Sequence, residues 1–95
     1  MRDDYFEWDD EKSKINRVKH GIDFEEARSL WKAGVHEFPS PRDPEMRYLV
    51  TGKIGMKFWT AVICYRGARR RIISVRASTE KERELYEAQK REARL

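Results

Sequence analysis

In the first third of the chain the apolar residues recur at helical spacing, and from residue 35 onward they crowd into short runs of strand length. Phe24, Ala27, Leu30 and Trp31 fall on one helical face. Asp23 with Glu26 three residues later reads as a capping box at its start, so a helix is predicted from there to Gly34. Ahead of it, Asp9, Asp10 and Glu11 suit the positive end of a helix dipole, while Lys19 and His20 with Gly21 suit the negative end and a C-cap. A first helix is therefore predicted to end at His20. Tyr5, Phe6 and Trp8 precede it as a short aromatic edge strand.

Strand signals take over after Gly34. Val35 to Phe38 reads as a short strand, and residues 39–45 (PSPRDPE), which hold all three prolines, are expected to be loop. Arg47 to Thr51 is a second strand, with Gly52 and Gly55 bracketing the following turn. The longest nearly continuous apolar run, FWTAVICY (58–65), is the candidate central strand, and Arg66-Gly67-Ala68 turns the chain into RRRIISVRA. Its β-branched residues predict a strand over 70–76. On a period of two, Arg71, Ile73 and Val75 share one face, and Arg70, Ile72, Ser74 and Arg76 share the other. Thr79 and Glu82 form a second capping box, so a last helix begins near Glu80 and carries Leu85, Tyr86 and Ala88. Beyond residue 89 the sequence is nearly all polar, and that end is expected to fray. These elements predict one α+β domain over residues 1–95. Two N-terminal helices and one C-terminal helix pack on one face of a small twisted antiparallel sheet.

Composition narrows the functional classes. A chain of 95 residues buries only about 60–70% of its unfolded surface, so a deep substrate cavity is not expected. The net charge is +4 and the pI is near 9.4, with the excess concentrated between Arg66 and Arg76. Such a patch binds phosphate or is simply solvated. The lone Cys64 sits inside an apolar run, which predicts a buried, inert thiol and fits a reducing compartment. No 18-residue apolar span occurs, and MRDDYFEWDD has no apolar signal core, so a soluble, cytoplasmic protein without membrane contact is expected.

No Gly-rich phosphate loop, metal-spaced Cys/His pair or nucleophile elbow is present. His20 and His36 lack the neighbouring ligand types of a metal site, and the KHG triplet is explained by helix ending alone. What remains is a basic and aromatic set: Lys19, His20, Arg66, Arg69, Arg71, Arg76 and Tyr86, with Arg70 in the same run. That set suits RNA. Internal cleavage of RNA needs no cofactor, because the 2′-hydroxyl is a built-in nucleophile and the protein need only position the strand, assist proton transfer and stabilise charge on phosphorus oxygens. Two rival readings fit the same residues. One is a non-catalytic nucleic-acid-binding module gripping phosphates with residues 69–76; the other is an interaction protein whose arginines pair with an acidic partner.

The segments FEWD (6–9), NRVKHGIDFEEA (16–27), YRG (65–67) and RIISVRAST followed by EREL-Y (71–79, 82–86) together resemble the BrnT family, the toxin half of BrnT/BrnA type II toxin-antitoxin pairs. The likeness covers nearly the whole chain. It implies a RelE-like fold, metal-independent ribonuclease activity that inhibits translation and growth, and neutralisation by a cognate BrnA-like antitoxin. It further implies that operator DNA is met only through the antitoxin complex, and it leaves room for a homodimer. Carried over residue by residue, it singles out Lys19 and His20, Arg66, Arg71 and Arg76, and Glu82 with Tyr86. On that basis Arg76, with Arg66 or Arg71, would stabilise the pentacoordinate phosphate. His20 or Lys19 would handle a proton or anchor the backbone, Tyr86 would orient or stack, and Arg69, Arg70 and Glu82 would contact RNA. The chain departs from the family pattern before Arg47, where PRDPEM stands in place of a loop that often carries a His-Ser pair, and at Tyr65, where many members have an acidic residue.

Overall fold

A computed structural model describes residues 5–42 and 44–93. Its elements, in chain order, are β1 (Phe6–Glu7), α1 (Asp10–His20), α2 (Phe24–Ala27, continued by a 3-10 helix over Arg28–Ala33), β2 (His36–Arg42), β3 (Glu45–Ile54), β4 (Lys57–Arg66), β5 (Arg69–Ala77) and α3 (Glu80–Ala93). The sheet order is β1-β5-β4-β3-β2. Strands β2 to β5 form an antiparallel meander, and β1 adds at the far edge, parallel to β5. The apolar run 58–65 is thus the middle strand of five, as its hydrophobicity demands, since only a central strand hides both faces.

Local signals set the helix ends. The Asp9 carboxylate accepts from the Glu11 and Lys12 N–H groups, and Gly21 closes α1 at φ 82°, a left-handed conformation that costs a residue without Cβ nothing. Asp23 and Glu26 complete their capping box reciprocally. At α3 the Glu82 N–H donates to the Thr79 hydroxyl, while the Glu82 carboxylate accepts from the Thr79 N–H.

One sheet face is closed by α1 and α2. Val50, Ala61, Ile63, Ile72 and Val75 meet Ile22, Phe24, Ala27 and Leu30 in one buried cluster. Gly52 is a core residue of β3, not a turn residue: a Cβ there would lie 3.2 Å from Leu30 Cδ2, so the backbone of β3 passes directly under α2. Asn16, buried on α1, treats the edge of β5 as a neighbouring strand would. Its amide donates to the Val75 and Ile22 carbonyls and accepts from the Val75 N–H.

Besides the Gly52 turn and the wholly antiparallel sheet, which β1 makes mixed by pairing parallel to β5, three further expectations need correction. The proline segment is largely strand: β2 pairs with β3 as far as Arg42↔Glu45. Pro39 and Pro41 are two residues apart on an edge strand, so neither lacks an N–H that the ladder requires. Secondly, the helices do not share one face, because α3 lies across one end of the opposite face, where Tyr86 packs edge-on against Phe58 and Glu82 meets Thr60. Thirdly, the even alternation read for residues 70–76 is broken. Val62 pairs with Ser74 but Ile63 pairs with Ile72, so Ile73 is an extra residue in β5, a bulge.

Candidate functional site

That bulge re-sorts the arginines. Cross-strand partners share a face, and Arg76 stands opposite Thr60 while Arg71 stands opposite Cys64. Thr60 and Cys64 are both even-numbered on β4, so Arg71 and Arg76 lie on the same face, the one opposite the main core. Arg70, opposite Tyr65, turns to the other face, where its guanidinium lies over the rings of Phe6 and Trp31. The sequence pattern had paired Arg70 with Arg76 and set Arg71 apart.

The open face is ordered in rows. His36↔Thr51, Thr51↔Thr60 and Thr60↔Arg76 make one polar row across four strands. Phe38, Leu49, Val62 and Ser74 make the next. Continuing the same register places Arg47 beside Cys64 and hence in a row with Arg71. From Thr60 to Cys64 is four residues, so the Arg76 and Arg71 rows are about 13 Å apart. Arg66, at the end of β4, lies six residues from Thr60, about 20 Å. It is exposed, as is its hairpin partner Arg69, and Arg66 cannot share one phosphate with Arg76.

Arg76 is held more tightly than any other cation of this face. Its Nη1 and Nη2 donate to Glu82 Oε1 and Oε2 at 2.8 and 2.9 Å, a two-pronged pair. The same carboxylate accepts from the Thr79 N–H and from the Thr60 hydroxyl, which in turn is hydrogen-bonded to Thr51 and Ser78. Burial alone would push the Glu82 carboxyl up, but the donors from Arg76, Thr79 and Thr60 outweigh it and hold the pKa at about 2. The hydrogen bond to Glu82 likewise raises that of Arg76. Glu82, expected among the RNA-contacting residues, is therefore fully engaged in orienting Arg76, and its charge would repel a phosphate. Arg76 keeps donors for a ligand, because a guanidinium has five N–H groups and this side chain is 34% exposed.

Arg71 is tethered from the first strand: its Nη1 donates to Glu7 Oε2 at 2.9 Å. The side chains of Lys19 and His20 are exposed at the C-terminal end of α1. Asn16 anchors that helix to Val75, and His20 lies one turn, about 6 Å, further along the helix. Tyr86 is 2% exposed and its hydroxyl has no partner among the described residues. It offers no face to a base, so the expected stacking role is withdrawn. Residues the sequence did not single out, Glu7, Thr60, Ser78, His36 and Arg47, are brought to this face by pairing alone. Only the Thr79–Glu82 capping box hinted at the carboxylate that orients Arg76. Among the described residues no three His, Cys, Asp or Glu side chains cluster as a metal site would, and no helix is long and apolar enough to cross a membrane.

The class this arrangement defines is a small α+β protein with an oriented arginine on a half-open, hydroxyl-bearing sheet face. A family model described as "Ribonuclease toxin, BrnT, of type II toxin-antitoxin system" matches residues 8–82. The chain belongs to that family, as its motifs implied. No curated protein and no solved structure matches it.

Proposed function

We propose that this chain is a metal-independent endoribonuclease toxin of RelE-like fold, that its open sheet face binds the RNA strand, and that Arg76 stabilises the reacting phosphate. The observation that carries this reading is the two-pronged Arg76–Glu82 pair within the His36–Thr51–Thr60–Arg76 row. Charge develops on the non-bridging oxygens as the 2′-oxygen bonds to phosphorus and the bond to the 5′-oxygen breaks. A proton leaves the 2′-oxygen and another reaches the 5′-oxygen, giving a 2′,3′-cyclic phosphate and a free 5′-hydroxyl. An arginine already fixed in place contributes to that transition state without reorganising. Arg71 and Arg47, about 13 Å away along the strands, hold a neighbouring stretch of backbone. Proton transfer falls to His20 or Lys19 at the C-terminal end of α1, and single alanine variants of each separate the two; His36, three strands from Arg76 and so about 14 Å away, is as remote as Arg71.

The same face is the one a cognate antitoxin would cover, and operator DNA would be met only through that complex. The reading is tested by incubating purified protein with RNA in a chelator, comparing wild type with Arg76→Lys and Arg76→Ala. Fragments ending in a cyclic phosphate from wild type alone, with unchanged circular dichroism, are expected. Cleavage that survives in both variants removes Arg76 from the site, and salt-sensitive binding without fragments would favour the non-catalytic module.

A further inference from the structure

Beside the Arg76–Glu82 pair the open face holds a cavity of about 340 Å³. It is lined by His36 and Phe38 of β2, Leu49 and Thr51 of β3, Thr79 just ahead of α3, and Lys81, Glu82 and Leu85 of α3; Arg76 adjoins it through its two hydrogen bonds to Glu82. The rings of His36 and Phe38 are stacked at 6.3 Å with 30° between planes. Phe38 is 51% exposed on an edge strand, so its ring is not part of the core cluster. Water-facing aromatic surface is costly unless something covers it.

We propose that this cavity is a nucleobase subsite, taking the base next to the phosphate that Arg76 holds; the proposal rests on the ribonuclease reading and deepens it. A nucleotide unit joins a flat π-surface to an anion, and the cavity and its surroundings join the same two complements: an exposed aromatic ring beside Leu49 and Leu85, and the Lys81 ammonium in the lining with the Arg76 guanidinium bonded to the lining residue Glu82. Stacking is tolerant of base identity because every base has a π-face. The polar groups at the edge are few. The Thr51 hydroxyl is already bonded to Thr60, and Glu82 is saturated, which leaves the Thr79 hydroxyl proton and the His36 ring for contact with base edges. Sequence preference is therefore weak, and affinity at this position comes mainly from Phe38.

The test uses short 2′-O-methyl oligonucleotides, which bind but cannot be cleaved, each with 2-aminopurine or an abasic residue at one position, scanned along the strand. At one position wild type should prefer the base over the abasic analogue by roughly 5- to 150-fold, with quenching of 2-aminopurine fluorescence. Phe38→Ala should bring that ratio close to unity with an unchanged circular dichroism spectrum, and Phe38→Trp should restore it. A wild type that cleaves RNA but shows no such position, or a Phe38→Ala variant that keeps the preference, overturns the subsite and leaves the ribonuclease reading standing. Failure of wild type either to bind or to cleave RNA sinks both. Loss of antitoxin binding in Phe38→Ala with base discrimination intact assigns the cavity to a protein side chain and likewise overturns the proposal.

Discussion

Two arginines on one strand, Arg76 at the exit of β5 and Arg71 near its start, each meet a carboxylate, but they are held in different ways. Glu82 is six residues from Arg76, belongs to a capping box, and presents both oxygens to both terminal nitrogens. Glu7 is 64 residues from Arg71 and makes a single contact at 2.9 Å from an edge strand of two residues. The first pair fixes the direction of a guanidinium; the second mainly keeps one in the neighbourhood. An arginine that must meet a transition state gains from the first kind of restraint, whereas one that grips a flexible backbone loses little under the second.

The largest effect that would break this contrast is at Arg76. Arg76→Ala should lower RNA cleavage by about 10²-fold or more, and it also strands the Glu82 carboxylate, so Arg76→Lys is the control that keeps a charge but not the fork. Equal losses in Arg71→Ala would erase the distinction. Next is Glu82→Gln, which keeps the shape and removes the charge. Glu82 holds its proton-free form in the folded protein down to about pH 2, against an ordinary value of 4.5. Its stabilisation is therefore complete above about 4.5 and is lost as the pH falls towards 2. Unfolding free energies measured from pH 5 to 2.5 should fall for wild type by on the order of 2 kcal/mol more than for Glu82→Gln. A parallel decline would mean that the pair does not carry the acid sensitivity.

Thr60→Val removes a hydroxyl bonded to Thr51, Ser78 and Glu82 and should cost about 2 kcal/mol in urea denaturation. No loss would show the polar row to be incidental. Arg71→Ala should reduce cleavage only several-fold and flatten the salt dependence of RNA binding by about 0.7 in log-log slope. The smallest effect belongs to Tyr86→Phe. Its hydroxyl is buried without a partner among the described residues, so removal should be neutral or stabilise by up to about 1 kcal/mol, with cleavage unchanged. A loss of cleavage would return Tyr86 to the site.

Much of the fold was legible because its signals are local. The ends of α1 and the starts of α2 and α3 rest on residues at most a few positions apart, and the centrality of β4 follows from its continuous apolar run. The proline segment misled because proline reads as a breaker until it is known that its strand has one free edge. The candidate site was legible in its parts and not in its grouping. Arg76 and the Glu82 side chain could be picked out, but Glu82 was assigned to RNA rather than to Arg76, and His36 was set aside because no row across the sheet exists in one dimension.

The sequence by itself determined the helix ends it capped, the central strand β4, the basic character of β5, the buried Cys64 and the family, since caps, β-branched runs and motifs all act over short stretches of chain. Tertiary structure alone decided which arginines are neighbours. One inserted residue, Ile73, reverses the alternation on which facing depends, and Glu7 and Asn16 reach β5 from 64 and 59 positions away. A strand places side chains on a face only relative to its partners. Register, which is set by pairing between distant segments, therefore chose the face that Arg71 shares with Arg76.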